Sequence, residues 1–290
     1  MNSATANFQP STSNFHNERL LREEIIRVGK LLYDRGLIVS TDGNISARID
    51  DRRVLATPTG LCKGLMTADQ LIIVDMDGKR VGPTTPTNRD LKPTSEMRMH
   101  LEAYRRRPDI RGIVHAHPPT VVAASIAGLD LAQCLIPEVI VMLGVIPVTQ
   151  YATPSSEENV HAIRELIVGH DAIILQRHGT LVVGNSPTDA YLKTETVDQM
   201  ARVSMMLAVL GQGQPLSADQ VAKLIAQRQA LGLARAGDVS DFCAHCGVCR
   251  FPNQPAPAAS TTSTGPTDQD IREITARVLR ELNRTTTNSG

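Results

Sequence analysis

The sequence predicts a layered α/β domain, and three observations carry that expectation. Short Val- and Ile-rich runs alternate with longer stretches of helical period through about residue 235, as strands and helices do in layered folds. A chain of 290 residues can bury a full core, with room for one large domain and some extra. Beyond residue 243 the composition changes twice, first to a cysteine cluster and then to a Pro/Ser/Thr-rich run, so the layered part ends there.

Taken in order, residues 1–17 are polar and rich in Ser, Thr and Asn, and are expected to be a mobile lead-in. From Glu18 a helical period places Leu21, Ile25, Val28 and Leu32 on one face, with Gly36 as its stop. Strand-like runs follow: V-L-A-T around Val54, L-I-I-V at 71–74, I-V-H-A-H at 113–117 and A-I-I-L-Q at 172–176. Helical stretches lie between them, one at 93–106 opening on Pro93 and one at 157–168. Ser186-Pro187 is a good N-cap and first-turn pair for a longer helix reaching about Leu210. The catalytic-size domain is therefore set at 18–238, a Cys-rich segment at 239–250, a linker at 251–267 and a short amphipathic helix at 268–284. In that last piece Ile271, Ile274, Val278, Leu279 and Leu282 form one apolar stripe. Thr267 with Asp270 resembles a capping box. A helix of about 15 residues is marginal alone in water, so the stripe needs a partner.

Composition excludes several classes. Lys+Arg equals Asp+Glu, so there is no basic surface for nucleic acid. No apolar run is long enough for a membrane span, and the first residues lack the basic and apolar regions of a secretory signal. Five cysteines, three of them within 243–249, do not look like a disulfide framework, and the expected setting is a reducing cytoplasm.

The segment I-R-G-I-V-H-A-H-P-P, residues 110–119, carries the strongest chemical signal. Side chains at i and i+2 of a strand share a face, so His115 and His117 can offer two nitrogens to one point. A catalytic zinc takes three protein ligands and keeps a position open. His178, at the end of A-I-I-L-Q and just before Gly179, is the best third donor. Upstream, K-P-T-S-E at 92–96 puts Thr94, Ser95 and Glu96 at a predicted helix start, where anions are favoured. T-D-G-N at 41–44 and T-P-T-G at 57–60 each pair a small hydroxyl residue with a glycine that lets backbone approach a ligand. With a metal site they point to a phosphorylated substrate.

The ordered set T-D-G-N-I-S, T-P-T-G, K-P-T-S-E, H-A-H and R-H-G resembles the class II aldolase family over about residues 18–230. The resemblance implies a three-layer α/β/α domain with a central mixed/antiparallel sheet, a homotetramer with sites between subunits, and one Zn2+ per subunit. It implies His115, His117 and His178 as metal ligands and Glu96 as the acid/base residue and a fourth ligand when substrate is absent. It assigns the phosphate to Asn44, Thr59, Gly60, Thr94 and Ser95, with Thr41 close by. The implied reaction is retro-aldol cleavage of L-fuculose 1-phosphate, with L-rhamnulose 1-phosphate beside it, to dihydroxyacetone phosphate and L-lactaldehyde. A Lewis-acid metal suits the enediolate this leaves, and a nearby carboxylate can move the proton.

One segment departs from the family. Where its aldolases carry a tyrosine that protonates a neighbouring subunit's departing aldehyde, this chain has L-I-P-E-V-I-V-M-L-G-V-I-P-V-T-Q, with Val141 at the matching place. Tyr151, Glu138 or a water takes that role, or the substrate differs. Ribulose-phosphate 4-epimerases of similar pattern usually have aspartate at the place of Glu96, whereas methylthioribulose-1-phosphate dehydratases keep glutamate. A non-catalytic assembly protein is a further alternative, disfavoured because a structural zinc prefers four protein ligands.

Two features lie outside that resemblance. Cys243, Cys246 and Cys249, with His245 among them, form a candidate second-ion or redox site. A long linker ending in a short amphipathic helix is similar to the encapsulation peptides of bacterial microcompartments. That likeness implies that shell or cargo proteins bind residues 268–284 and that the enzyme sits in a microcompartment lumen, the cytoplasm being the alternative.

Overall fold

A computed structural model describes residues 12–246 and 248, apart from 212 and 236. Helix α1 (Thr12–Asp34) is followed by the strands β1 (Asn44–Arg48), β2 (Arg53–Ala56), β3 (Ile72–Asp75) and β4 (Arg80–Val81). Next come α2 (Met97–Arg106), β5 (Gly112–Ala116), α3 (Pro119–Ala127) and α4 (Pro137–Met142). Then α5 (Glu157–Arg164) and α6 (Leu166–Gly169) lead to the hairpin of β6 (Ala172–Leu175) and β7 (Gly179–Gly184). Three helices complete the described chain: α7 (Pro187–Leu210), α8 (Ala218–Ala230) and α9 (Asp238–Cys246). None of the helices among these residues is long and apolar enough to cross a membrane.

The strands form one sheet in the order β4-β3-β2-β1-β5-β7-β6, and every strand pair is antiparallel. Both faces are covered. Val54, Val74, Ile113, Ile173 and Val183 pack under Met97, Leu101 and Tyr104 of α2 and Ile163 of α5. The opposite face presents Ile45, Ala47, Leu55, Ile73 and Val114 to Ile25, Val28 and Leu32 of α1 and to Tyr191 of α7. Val121, Val139, Val197 and Met200 cover the β6 end of that face. These are three layers, α/β/α, and the double coverage explains why most strands read as unbroken apolar runs.

The predicted elements shift at their ends. α1 starts at Thr12 rather than Glu18, so part of the expected lead-in is helical; Pro10 is the last residue before it that lacks an amide. The helix expected from Pro93 begins at Met97, because Pro93 is held in an isolated bridge to Pro58 and the Thr59 amide donates to the Lys92 carbonyl at 3.0 Å. That link brings T-P-T-G and K-P-T-S-E together.

The cysteine cluster is corrected. Its described part belongs to α9, which packs on the domain: Phe242, 1% exposed, sits among Cys134, Ile140, Val145 and Val221. Cys246 is disulfide-bonded to Cys134, their Cα atoms 5.7 Å apart across a sequence separation of 112. Cys243 is disulfide-bonded as well. Thiolates engaged this way cannot ligate an ion, so the second-ion reading of Cys243 and Cys246 fails. Cysteines that did not look like a disulfide framework from their spacing thus include disulfide-bonded ones. Folding, not spacing, brought Cys134 to the cluster. Cys249, the linker 251–267 and the helix expected at 268–284 lie outside the described residues, as does the lead-in before residue 12.

If α9 belongs to the core, Phe242→Ala should destabilise the protein by about 3–5 kcal/mol, measured as a lower urea midpoint; a free arm would leave the midpoint unchanged.

Candidate functional site

Three loops and one strand end converge at the edge of the central strands. His115 lies on β5, paired with Asn44 of β1 on one side and Leu181 of β7 on the other. His117 has left the ladder, its amide donating to the Leu37 carbonyl at 2.9 Å. His178 stands in the β6–β7 turn, next to Arg177, whose φ is +62°. Gly179 makes the close approach possible. A Cβ there would collide with the Ala116 carbonyl and come within 2.8 Å of His117 Cδ2.

The three imidazoles are mutually 4.7–4.8 Å apart, centroid to centroid. Glu96, the N-cap of α2, completes the group, and one ligand atom from each of the four residues lies within 4.8 Å of the others. Glu96 Oε2 is 2.9 Å from His115 Nε2, and Oε1 is 3.5 Å from His178 Nε2. Asn44 Nδ2 donates to Glu96 Oε2 at 2.9 Å.

Counting donors tests whether a cation fits. His115 Nδ1 faces the Thr180 carbonyl at 2.8 Å, an acceptor only, so Nδ1 carries a proton. Nε2 faces both a carboxylate oxygen and His117 Nε2, the latter at 2.8 Å. Against burial, the charge of Glu96 and its hydrogen bond raise the His115 pKa, so without an ion a proton sits at Nε2, in the position a cation can take. Glu96 Oε1 is buried with no hydrogen-bond partner. Lone pairs and a buried carboxylate pointing at one spot are what a divalent cation satisfies. Charge balance agrees. Burial alone would raise the Glu96 carboxyl, but the charge of His115 and the hydrogen bonds from His115 and Asn44 hold it well below the usual carboxylate range. Burial, reinforced by the charge of His115, lowers His117 to about 4 and His178 to about 3, so both rings are neutral, the ligand form. Asp42 Oδ2, 3.5 Å from His117 Nδ1, orients that ring from behind.

Beside this group opens a cavity of about 280 Å³. Thr41, Asn44, Thr59, Gly60, Thr94 and Ser95, the residues singled out for an anion, all line it together with Glu96, His117 and His178. At Gly60, φ is +76° and nothing stands within 4 Å of where a Cβ would be, so its backbone is open to a ligand. Tyr151 is not among the lining residues and is 59% exposed.

Among the lining residues not singled out from sequence, two are polar. Lys63 is only 3% exposed and donates to the Thr41 carbonyl at 2.5 Å. Burial lowers its pKa, opposed by Asp42 and Glu96. It is the cation of a cradle otherwise made of hydroxyls and amides. Its trace in the sequence is indirect: a Cβ on Gly29 would lie 2.6 Å from the Lys63 carbonyl oxygen, so α1 must be bare there. Ser155, with φ of +62°, donates to Ser95 Oγ at 2.9 Å.

With this geometry in place, comparison with known proteins is informative. The family model described as Class II Aldolase and Adducin N-terminal domain matches residues 23–205. The chain is 33% identical over 185 residues to the L-fuculose phosphate aldolase of Methanococcus maripaludis, covering 63% of this chain and 96% of that one. It is 30% identical over 194 residues to the 3-oxo-tetronate 4-phosphate decarboxylase of Escherichia coli, covering 66% and 88%. It is also similar to the solved structure of YgbL from Klebsiella pneumoniae, a candidate aldolase/epimerase/decarboxylase, with a TM-score of 0.64 and 32% identity over 71% and 98% of the two chains.

Gly179→Ala should push His117 aside and weaken divalent-metal affinity on the order of 10-fold or more, read by competition with a chromogenic chelator.

Proposed function

This chain belongs to the class II aldolase family, and on that premise we propose that it is a zinc-dependent lyase that splits a C–C bond of a short phosphorylated ketose. The leading substrate is L-fuculose 1-phosphate, with L-rhamnulose 1-phosphate beside it, giving dihydroxyacetone phosphate and L-lactaldehyde. One observation carries the reading: His117, His178 and Glu96 of the ligand group line the same cavity as the anion cradle, so a phosphate held there leaves its ketone end beside that group. Bound zinc would supply Lewis-acid stabilisation of negative charge on the substrate oxygens. The residues of the chain do the rest. Thr59, Gly60, Thr94 and Ser95 hold the phosphate, and Lys63 balances its charge. Glu96, released from the imidazoles as substrate oxygens arrive, takes up a proton from solvent and passes it to the carbon that has lost its partner.

A second reading is decarboxylation of a 3-oxo-tetronate 4-phosphate, which also leaves dihydroxyacetone phosphate. It is favoured by the segment with no tyrosine: carbon dioxide departs from a carboxylate that is already ionised, whereas departure of an aldehyde requires a group that takes the proton of the alcohol. Val141 is buried, and its carbonyl is taken by Arg228 Nη1 at 2.9 Å. In the aldolase reading the alcohol's proton passes to exposed Tyr151, presented to a neighbouring subunit of a homotetramer.

Residues 268–284 remain proposed as the encapsulation helix, supported by their apolar stripe and by the linker before them. Fusion of 266–290 to a fluorescent protein should give puncta in shell-producing cells; diffuse signal overturns that proposal.

Product analysis decides the reaction. L-fuculose 1-phosphate should yield dihydroxyacetone phosphate and lactaldehyde, and either a chelator or His117→Ala should cut turnover at least roughly 100-fold. Release of carbon dioxide from 3-oxo-tetronate 4-phosphate, with the ketose phosphates inert, would establish the second reading. In either case Lys63→Met should raise KM roughly 10- to 100-fold with a smaller change in kcat.

A further inference from the structure

β1 and α2 meet along a polar seam whose first rung is Glu96. Asn44, Ser46 and Arg48 stand at every second position of β1; Glu96, His100 and Tyr104 stand at every fourth position of α2 and its cap. They pair rung by rung. Asn44 Nδ2 donates to Glu96 Oε2 at 2.9 Å. Ser46 Oγ lies 2.7 Å from His100 Nδ1 and 3.0 Å from the Tyr104 hydroxyl. Arg48 Nη2 donates to the Tyr104 carbonyl at 2.6 Å, with its guanidinium 4.7 Å from the centre of the Tyr104 ring.

The rungs stay level because the two repeats nearly match. Two strand residues advance about 6.6 Å, and four helix residues advance about 6.0 Å. All six residues are buried, Ser46 and His100 completely. Polar groups in so dry a place are tolerated only when paired. Sliding α2 by one residue turns it by about 100° and breaks every rung at once, so the seam permits a single register.

We propose that Ser46 and His100 are positioning residues for Glu96: by locking α2 onto β1 they set where its carboxylate stands relative to the three imidazoles, while touching neither ion nor substrate. The proposal rests on reading those four residues as a metal centre. His100 is suited to holding rather than to proton transfer. Burial chiefly, and then the charge of His115, lower its pKa to about 3, so the ring stays neutral. Its Nε2 has no hydrogen-bond partner. Phenylalanine would fill the space without an unmatched nitrogen, so what the imidazole adds is its bond to Ser46.

The test is cobalt(II) loading of the full chain, followed through the d–d absorption of the ion, in wild type, Glu96→Gln, His100→Phe, His100→Asn and Ser46→Ala. Cobalt should bind the wild type, and Glu96→Gln should change its spectrum. His100→Phe and Ser46→Ala should move the spectrum toward that of Glu96→Gln and weaken cobalt roughly 10- to 100-fold. His100→Asn, which keeps a polar atom near Nδ1, should recover most of the affinity. On the phosphorylated substrate kcat should fall while KM stays within about twofold. Should His100→Phe not fold, Ser46→Ala alone carries the test. Wild-type spectrum and affinity in the variants, with only a lowered Tm, would make the seam merely structural and overturn the proposal. A wild type that takes up no cobalt would overturn the metal reading itself, and this inference with it.

Discussion

A buried carboxylate surrounded by imidazoles is the constraint on which the rest of the molecule depends. Glu96 sits where burial opposes its charge, and its neighbours must therefore supply positive charge or donors at close range. His115, His178 and Asn44 do so, and each is delivered by a different element: β5, the β6–β7 turn and β1. Removing one partner from such a group leaves the others unmatched in a dry place, which costs more than the lost contact itself. The group therefore behaves as a unit, and the surrounding fold is organised to keep it whole.

The sheet order is what makes this convergence possible. β1 and β5 are adjacent although Asn44 and its pair His115 lie 71 positions apart in the chain, and β7 lies on the far side of β5. Loops leaving these three central strands emerge together, so the T-D-G-N loop, the histidine pair and the hairpin turn share one rim. The fourth contributor, K-P-T-S-E, is drawn in by the Pro58–Pro93 bridge, which links the cradle to the residue that caps α2. The same few bonds thus set the phosphate site and the carboxylate at a fixed separation, which is what positional catalysis demands.

What was legible in the sequence follows from how far each signal reaches. His115 and His117 are two positions apart, and strand periodicity alone puts their rings together. Glycines at 43 and 60 flagged backbone that lets a ligand approach closely, and both have positive φ. β1 was not legible: N-I-S-A-R alternates, but its polar side faces α2 rather than solvent, so it resembles an exposed turn more than a central strand. Lys63 was not legible because a lone lysine between glycines is ordinarily solvated, and only the packing of its loop on α1 buries it. Cys134 and Cys246 were not legible as a pair because their proximity is a product of α4, α8 and α9 packing together.

The choice between the two reactions turns on leaving groups rather than on the metal. Both reactions put the same electron pair on the carbon next to the ketone, and both need the same phosphate grip and the same proton from a carboxylate at that carbon. They differ at the other fragment. An aldehyde leaves from an alcohol whose proton must be taken away as the C–C bond breaks, which asks for a base beside that hydroxyl. Carbon dioxide leaves from a carboxylate that is already ionised, and asks only that its charge not be over-stabilised in the ground state. At the place of the family's tyrosine this chain has Val141, which is buried, has its carbonyl held by Arg228 and carries no group that exchanges protons. The proposed aldolase reading therefore depends on a proton acceptor from elsewhere, such as the exposed hydroxyl of Tyr151 on a second subunit, whereas the decarboxylase reading needs none.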